Sequence, residues 1–179
     1  MHDGDARGRL ILLCGLPGAG KTTLAKQLEA STASIRLCPD DVLVALGHDL
    51  FDEDARDLVE QWCWTLAQRL LSLGVTVIME NGFWSKRERD SMRDVAHSLG
   101  ASVTLYYLDA PIDELLARVN ARVMDDSATH VAITGTQMRE WSGLFERPSA
   151  SEAALYEQFT SLDTRHAGAS EQGGGPTSG

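Results

Sequence analysis

The sequence predicts an α/β fold in three layers, a parallel sheet covered by helices on both faces. Three observations lead there. Short apolar runs rich in β-branched residues alternate with segments of helical periodicity along the 179 residues. The first run, Leu10 to Leu13, is followed at once by Gly15-Leu16-Pro17-Gly18-Ala19-Gly20-Lys21-Thr22. Polar residues then close the second and third runs at what would be one sheet edge, where ligands bind in open α/β sheets.

Leu10 to Leu13 reads as a buried strand, and the octapeptide after it matches G-x-x-x-x-G-K-[ST] at every position. A helix from Lys21 to about Ala30 follows. Ile35 to Cys38 is a short strand ended by Pro39 and the pair Asp40-Asp41. A long helix is predicted over about Glu53 to Leu73, where Leu58, Trp62, Leu66 and Leu70 recur every four residues beside Val59, Cys63, Ala67 and Leu71. That double row, Trp62 included, is expected to face the core. The chain entering this helix is strongly acidic, with Asp49, Asp52, Glu53, Asp54, Asp57 and Glu60 relieved only by Arg56. Two readings stand: acids that complement the helix dipole on a solvated face, or an acidic wall that attracts a cationic substrate.

Gly74 stops the helix, and Val75 to Met79 is the third strand, closed by a polar turn at Glu80-Asn81-Gly82. Ser85 and Glu88 have capping-box spacing, and Met92, Val95, Ala96 and Leu99 form the apolar stripe of a helix ended by Gly100. Val103 to Leu108 is the fourth strand. Pro111 suits the first position of a helix running to about Met124, on which Arg118 and Arg122 share a face. A polar segment, Asp125 to Thr136, precedes a helix over Gln137 to Leu144 and a turn over Phe145 to Glu152. Ala153 to Leu162 reads equally as strand or helix. Residues 1–8 are expected to be a flexible N-terminus, 9–165 one domain, and 166–179 a disordered Gly-rich tail.

Composition narrows the function classes. Hydrophobic residues at 43% and charged residues at 23% are those of a soluble protein, and no apolar run approaches the ~20 residues of a membrane span. The polar start lacks a secretory signal, and Cys14, Cys38 and Cys63 stand isolated in apolar contexts, which points to buried thiols in the cytoplasm. A net charge of −10 opposes nucleic-acid binding. No N-K-x-D tetrapeptide of the GTPases occurs, and motor ATPases are usually larger than this chain.

A small kinase using ATP and Mg²⁺ is the favoured reading. The candidate nucleotide contacts are Gly15, Pro17, Gly18, Ala19, Gly20, Lys21, Thr22 and Thr23. Lys21 would reach the β- and γ-phosphates and Thr22 would ligate Mg²⁺. Phosphoryl transfer also needs a carboxylate at the acceptor hydroxyl, for which Asp40 is the first candidate and Asp41 the second. Arg118 and Arg122 are the candidates to close on the migrating phosphoryl group, and Asp40 or Glu80 to hold a water of the Mg²⁺ shell. Asp41, Glu80, Asn81, Phe83 and Trp84 are candidate acceptor contacts, with Trp64 a further aromatic near them.

The set GLPGAGKTT, PDD, ENGFW with Arg87 and Arg89, R-x-x-x-R at Arg118 and Arg122, and LFERPSASE resembles the P-loop kinases of the AAA_33 type. That group includes the kinase domain of phage polynucleotide kinase and is more distantly similar to chloramphenicol phosphotransferase and the zeta toxins. The resemblance spans about Arg9 to Tyr156. It implies a P-loop NTPase three-layer α/β/α sandwich with strand order 2-3-1-4-5 and a helical lid over about 118–144. It also implies that Asp40 is the general base and that Arg118 and Arg122 contact the donor phosphates. Two departures stand out. Glu80 occupies a place where relatives often have aspartate, and Leu43 stands where the phage enzyme has an arginine that holds nucleic acid. A small hydroxylated acceptor is therefore expected, against two alternatives: a polynucleotide 5′-hydroxyl acceptor, or an ATP-binding regulatory module without transfer. Oligomeric state is left open.

Overall fold

The structure, a computed structural model, describes residues 7–125 and 132–165. Its strands are β1 (Arg9–Cys14), β2 (Ser34–Leu37), β3 (Thr76–Gly82), β4 (Ser102–Asp109) and β5 (Gln158–Asp163). They form one all-parallel sheet in the order β2-β3-β1-β4-β5, as the family resemblance implied. The helices are α1 (Lys21–Ser31), α2 (Pro39–Ala45), α3 (Glu53–Ser72), α4 (Lys86–Ser98), α5 (Ile112–Asp125), α6 (Gly135–Leu144) and the single turn α7 (Ala150–Ala153).

β1 is central and reads as an unbroken apolar run because both its faces are covered. Ile11 and Leu13 pack with Ala25 of α1 and Ile78 on one face. Leu10, Leu12 and Cys14 join a larger cluster on the other, with Val59, Cys63 and Ala67 of α3 and Ala96 of α4. The parallel register sets Cys14 level with Gly82 of β3 and Tyr107 of β4. Three strand ends therefore open onto one edge, and the phosphate-loop sequence starts in the middle of it.

Several elements differ from the sequence reading. β3 runs on through Glu80, Asn81 and Gly82, so these are strand residues rather than a closing turn. Ala55, Val59, Cys63, Ala67 and Leu71 form the buried row of α3, while Leu58 and Trp62 are 68% and 56% exposed. That row joins the main core cluster with Leu10, Leu12 and Cys14 of β1. Trp62 is thus a surface residue. Pro111 precedes α5 instead of starting it, although its carbonyl accepts from the Glu114 and Leu115 amides. α6 starts two residues before the predicted Gln137, behind a capping box between Thr134 and Gln137. The turn after α6 contains α7, and the ambiguous last segment resolves as the edge strand β5. Gly8, assigned to a flexible N-terminus, packs against Leu71, and its carbonyl accepts from the Ser102 amide at 3.0 Å. Residues 1–6, the central part of the expected lid (126–131) and the tail 166–179 lie outside the described residues.

Candidate active site

β1 delivers the chain to the sheet edge, where the Gly15 amide donates to the Gly82 carbonyl at 3.0 Å. The loop then turns through Gly18 (φ 82°) and Gly20 (φ 94°), left-handed conformations that glycine adopts without steric cost. Gly18 is also pressed on α5, so close that a Cβ would stand 2.5 Å from the Leu115 carbonyl oxygen. Gly20 is the N-cap of α1, and no side chain caps that terminus. The helix therefore offers its dipole and first-turn amides to an anion. Pro17 is half-buried, Ala19 is buried and contributes backbone, Thr22 is half-buried and Thr23 is exposed.

Lys21 Nζ donates to the Gly15 and Leu16 carbonyls at 2.8 and 3.0 Å, which holds its charge over the mouth of the loop. Burial pushes its pKa down, and the fields of Asp40 and Glu80 oppose that while Arg122 adds to it. The charges of Asp40, Glu80 and Arg122 are thus all felt at Lys21.

The Asp40-Asp41 pair separates into two roles. Pro39 starts α2, and both aspartates fall in its first turn, with Cys38 as N-cap. Asp41 pairs with Arg36, and so does the buried Glu80. Asp40 instead pairs with Arg56 at 2.9 Å, and its charge acts on Lys21. Arg56 is itself anchored on the Leu50 carbonyl and lies 3.5 Å from Glu60. Arg36 and Arg56 carry this arrangement, and neither was singled out from sequence. Arg56, as the lone cation in the acidic stretch, was the available signal; an arginine inside a four-residue strand gave none.

Arg118 spans from α5 to the P-loop and to the chain leaving β5. It approaches the Gly18 carbonyl at 3.5 Å, Thr164 Oγ1 at 3.2 Å and its helical neighbour Glu114 at 3.1 Å. Its guanidinium is engaged as a brace beside the loop, while Arg122 one turn on is half-buried and has its charge near Lys21. Next to Arg118, the carboxyl ends of β4 and β5 border a cavity of about 410 Å³ that includes Asp109, Pro111 and Arg147.

The segment after β3 departs most from expectation. Phe83 is wholly buried with φ 47°, so it is a core residue and not a pocket wall. Its carbonyl accepts from Arg89 at 2.9 Å, and Arg89 is paired through both Nε and Nη2 with Glu152, at 2.6 and 2.9 Å. Both partners are buried, at 0% and 1% exposure. Two motifs far apart in sequence, the one after β3 and the one at Ser149 to Glu152, are therefore halves of one ion pair that fixes the turn. Trp84 stacks obliquely on Trp141 of α6 at 5.8 Å, and its carbonyl accepts from the Glu146 amide. Asn81 faces a different space, between α3 and α4, together with Trp64.

Thr22 is half-buried at the start of α1, and Asp40 and Glu80 are each held by an arginine; a nucleotide-borne Mg²⁺ keeps most of its waters and takes few protein ligands. Among the described residues no group of three or more acids, histidines or cysteines forms a metal cage, and such sites do not require one. The three cysteines are free and buried, and burial pushes the Cys14 and Cys38 thiols up to about 12. No described helix is long and apolar enough to cross a membrane.

The family model AAA_33, described as an AAA domain, matches residues 10–148. An adenylyl-sulfate kinase of Myxococcus xanthus (strain DK1622) is 28% identical over 170 residues, covering 92% of this chain and 89% of that protein. A gluconokinase of Arabidopsis thaliana is 28% identical over 135 residues, covering 68% and 71%. Among solved structures, a chain of the Pnkp1/Rnl/Hen1 RNA repair complex superposes with a TM-score of 0.69 at 19% identity, covering 80% of this chain and 45% of that one.

Proposed function

This chain belongs to the AAA_33 family of P-loop kinases, and on that premise we propose that it transfers the γ-phosphoryl group of ATP to a hydroxyl of a small molecule in the cytoplasm. One observation carries the reading: Lys21 is held on the phosphate-loop carbonyls ahead of an uncapped helix N-terminus, while Asp40, in the first turn of α2, is held by Arg56 at 2.9 Å. The phosphate loop binds the donor, with Lys21 on its β- and γ-phosphates. Mg²⁺, which would be met by Thr22 with Asp40 or Glu80 behind water, supplies charge neutralisation on the transferring group. Asp40 orients the acceptor hydroxyl and takes its proton as that oxygen bonds to the γ-phosphorus and the bond to the β–γ bridging oxygen breaks, releasing ADP. Arg56 holds Asp40 in place through their ion pair at 2.9 Å. Arg122 is the better placed of the two lid arginines to meet developing charge, because Arg118 is engaged with Thr164 and Gly18.

The acceptor does not carry over from the relatives, since two of equal identity are named for different acceptors, adenylyl sulfate and gluconate. The likeness to a chain of an RNA repair complex favours a second reading, a polynucleotide 5′-hydroxyl acceptor. A net charge of −10 and Leu43 on α2 weigh against it. The test is Asp40→Asn assayed with ATP, Mg²⁺ and a library of hydroxyl compounds beside a 5′-hydroxyl oligonucleotide. The wild-type chain should release ADP only with certain small acceptors. The variant should lose about 10²–10⁴-fold in transfer and keep its nucleotide affinity. Equal transfer by the variant would remove Asp40 as base, and transfer to the oligonucleotide alone would install the second reading.

A further inference from the structure

α3 is the longest helix described, and only one of its sides is packed. Val59, Cys63, Ala67 and Leu71 face the core. Asp54, Leu58, Trp62, Thr65 and Arg69 follow one another at intervals of three or four residues along the side turned away from it, and all five are exposed. Leu73, the C-cap, is 78% exposed and extends that stripe. Leu58 and Trp62, one turn apart, leave an apolar surface in water at the middle of the helix. Tryptophan so placed is the residue type that anchors protein contacts.

The charges beside this stripe are sorted along the helix. Its first turns expose Glu53, Asp54 and Asp57, and its last turns expose Arg69. The chain entering β1 adds to the second group, because Gly8 is pressed on the Leu71 carbonyl and the exposed Arg7 and Arg9 therefore flank the end of the helix. Among the described residues none of these six has an ion-pair partner, whereas Arg36, Arg56, Arg89 and Arg93 are all paired. Unanswered acids at one end and unanswered cations at the other make the surface complementary to a reversed copy of itself. A parallel copy would set acid against acid. An isologous two-fold contact meets both ends at once.

We propose that the outer side of α3 docks antiparallel on the same helix of a second copy of this chain, with the two-fold axis midway between Trp62 and Thr65. Both copies of Trp62 then cover the axis, Leu58 packs on the aliphatic stem of Arg69 of the second copy, and that guanidinium reaches Asp54 and Asp57. Exposed ion pairs contribute little energy, so the apolar centre supplies the affinity and the charges set the direction. The strip is narrow and about 30 Å long for its 20 residues. Two chains of net charge −10 also repel each other. A dissociation constant on the order of 10–100 µM is therefore expected, at the weak end of specific contacts.

The test is sedimentation velocity of the full chain from about 5 to about 500 µM, a range that brackets the expected constant. The mass should pass from one chain to two. Leu58→Glu with Trp62→Glu should weaken the dimer about tenfold or more. Arg69→Glu should weaken it about fivefold, since a two-fold contact counts the reversal twice. Melting temperature checks folding, which substitutions at exposed positions should leave nearly unchanged. Direction is read by a short bis-maleimide on single-cysteine variants, the native cysteines being buried. Thr65→Cys lies near the axis and should link two chains, whereas the two copies of Asp54→Cys stand about 28 Å apart along the helix and should not. This second measurement needs no disruptive substitution. A single chain at every concentration, a dimer indifferent to the substitutions on α3, or linking at position 54 as readily as at 65 would overturn the proposal.

Discussion

Arg89 and Glu152 are the two most deeply buried charged residues described, and neither could be there without the other. Removing two ions from water is costly, and their attraction offsets it only because the pairing is bidentate and the third guanidinium nitrogen, Nη1, donates to the Phe83 carbonyl. What the pair secures is geometry: the Phe83 backbone, held at φ 47°, turns the chain from β3 into α4 directly beside the phosphate loop. Glu152→Gln leaves a guanidinium charge uncompensated in the core, and should destabilise the chain by about 3–5 kcal/mol in urea unfolding. Arg89→Met combined with Glu152→Leu should recover part of that loss, because it removes the buried charge altogether. A loss under about 1 kcal/mol for the single variant would mean that water reaches the pair.

At the scale of elements, the phosphate loop and α5 act as one part. Gly18 lies against the Leu115 carbonyl with no room for a side chain, and Arg118 from the same helix returns to the Gly18 carbonyl. Gly18→Ala must adopt a left-handed conformation at a cost of about 1–2 kcal/mol, and must also push α5 away. It should therefore weaken binding of a fluorescent ATP analogue about tenfold or more while lowering stability modestly, and unchanged affinity would show that loop and helix move independently. These elements were legible in the sequence where local pattern decides: the phosphate loop from residue spacing, α4 from its Ser85 cap, β1 and β3 from apolar runs. β5 was not, because an edge strand with mixed exposure carries neither period cleanly. The site was legible as residue types and only half legible as an arrangement. Arg36–Glu80 and Arg89–Glu152 join residues 44 and 63 positions apart, and nothing local to either arginine announces its partner. Phe83 misled for the same reason: a loop aromatic at the active edge looks available until the fold turns it inward.

For the whole molecule the question is how a chain of net charge −10 holds a nucleotide that is itself an anion. Positive charge and dipole meet at the phosphate loop, where the α1 N-terminus is uncapped and Lys21 and Arg118 contact the loop backbone, with Asp40 and Glu80 acting on Lys21 from beside it, while further acids populate the α3 side. A short polyphosphate fits within that positive focus, whereas a polynucleotide extends across the acidic surface around it. This predicts selective stabilisation. A ligand that binds the folded chain alone, at about 100 times its dissociation constant, adds about 2.7 kcal/mol. For a chain of this length each kcal/mol moves the melting temperature by about 2–4 °C, so a non-hydrolysable ATP analogue with Mg²⁺ should raise it by about 5–11 °C. Lys21→Ala should shrink that shift at the same nucleotide concentration, and an oligonucleotide at about 50 mM salt, where phosphate contacts are strongest, should produce none. A comparable shift with the oligonucleotide would mean that the positive focus extends into a groove, and the electrostatic case for a small acceptor would fall with it.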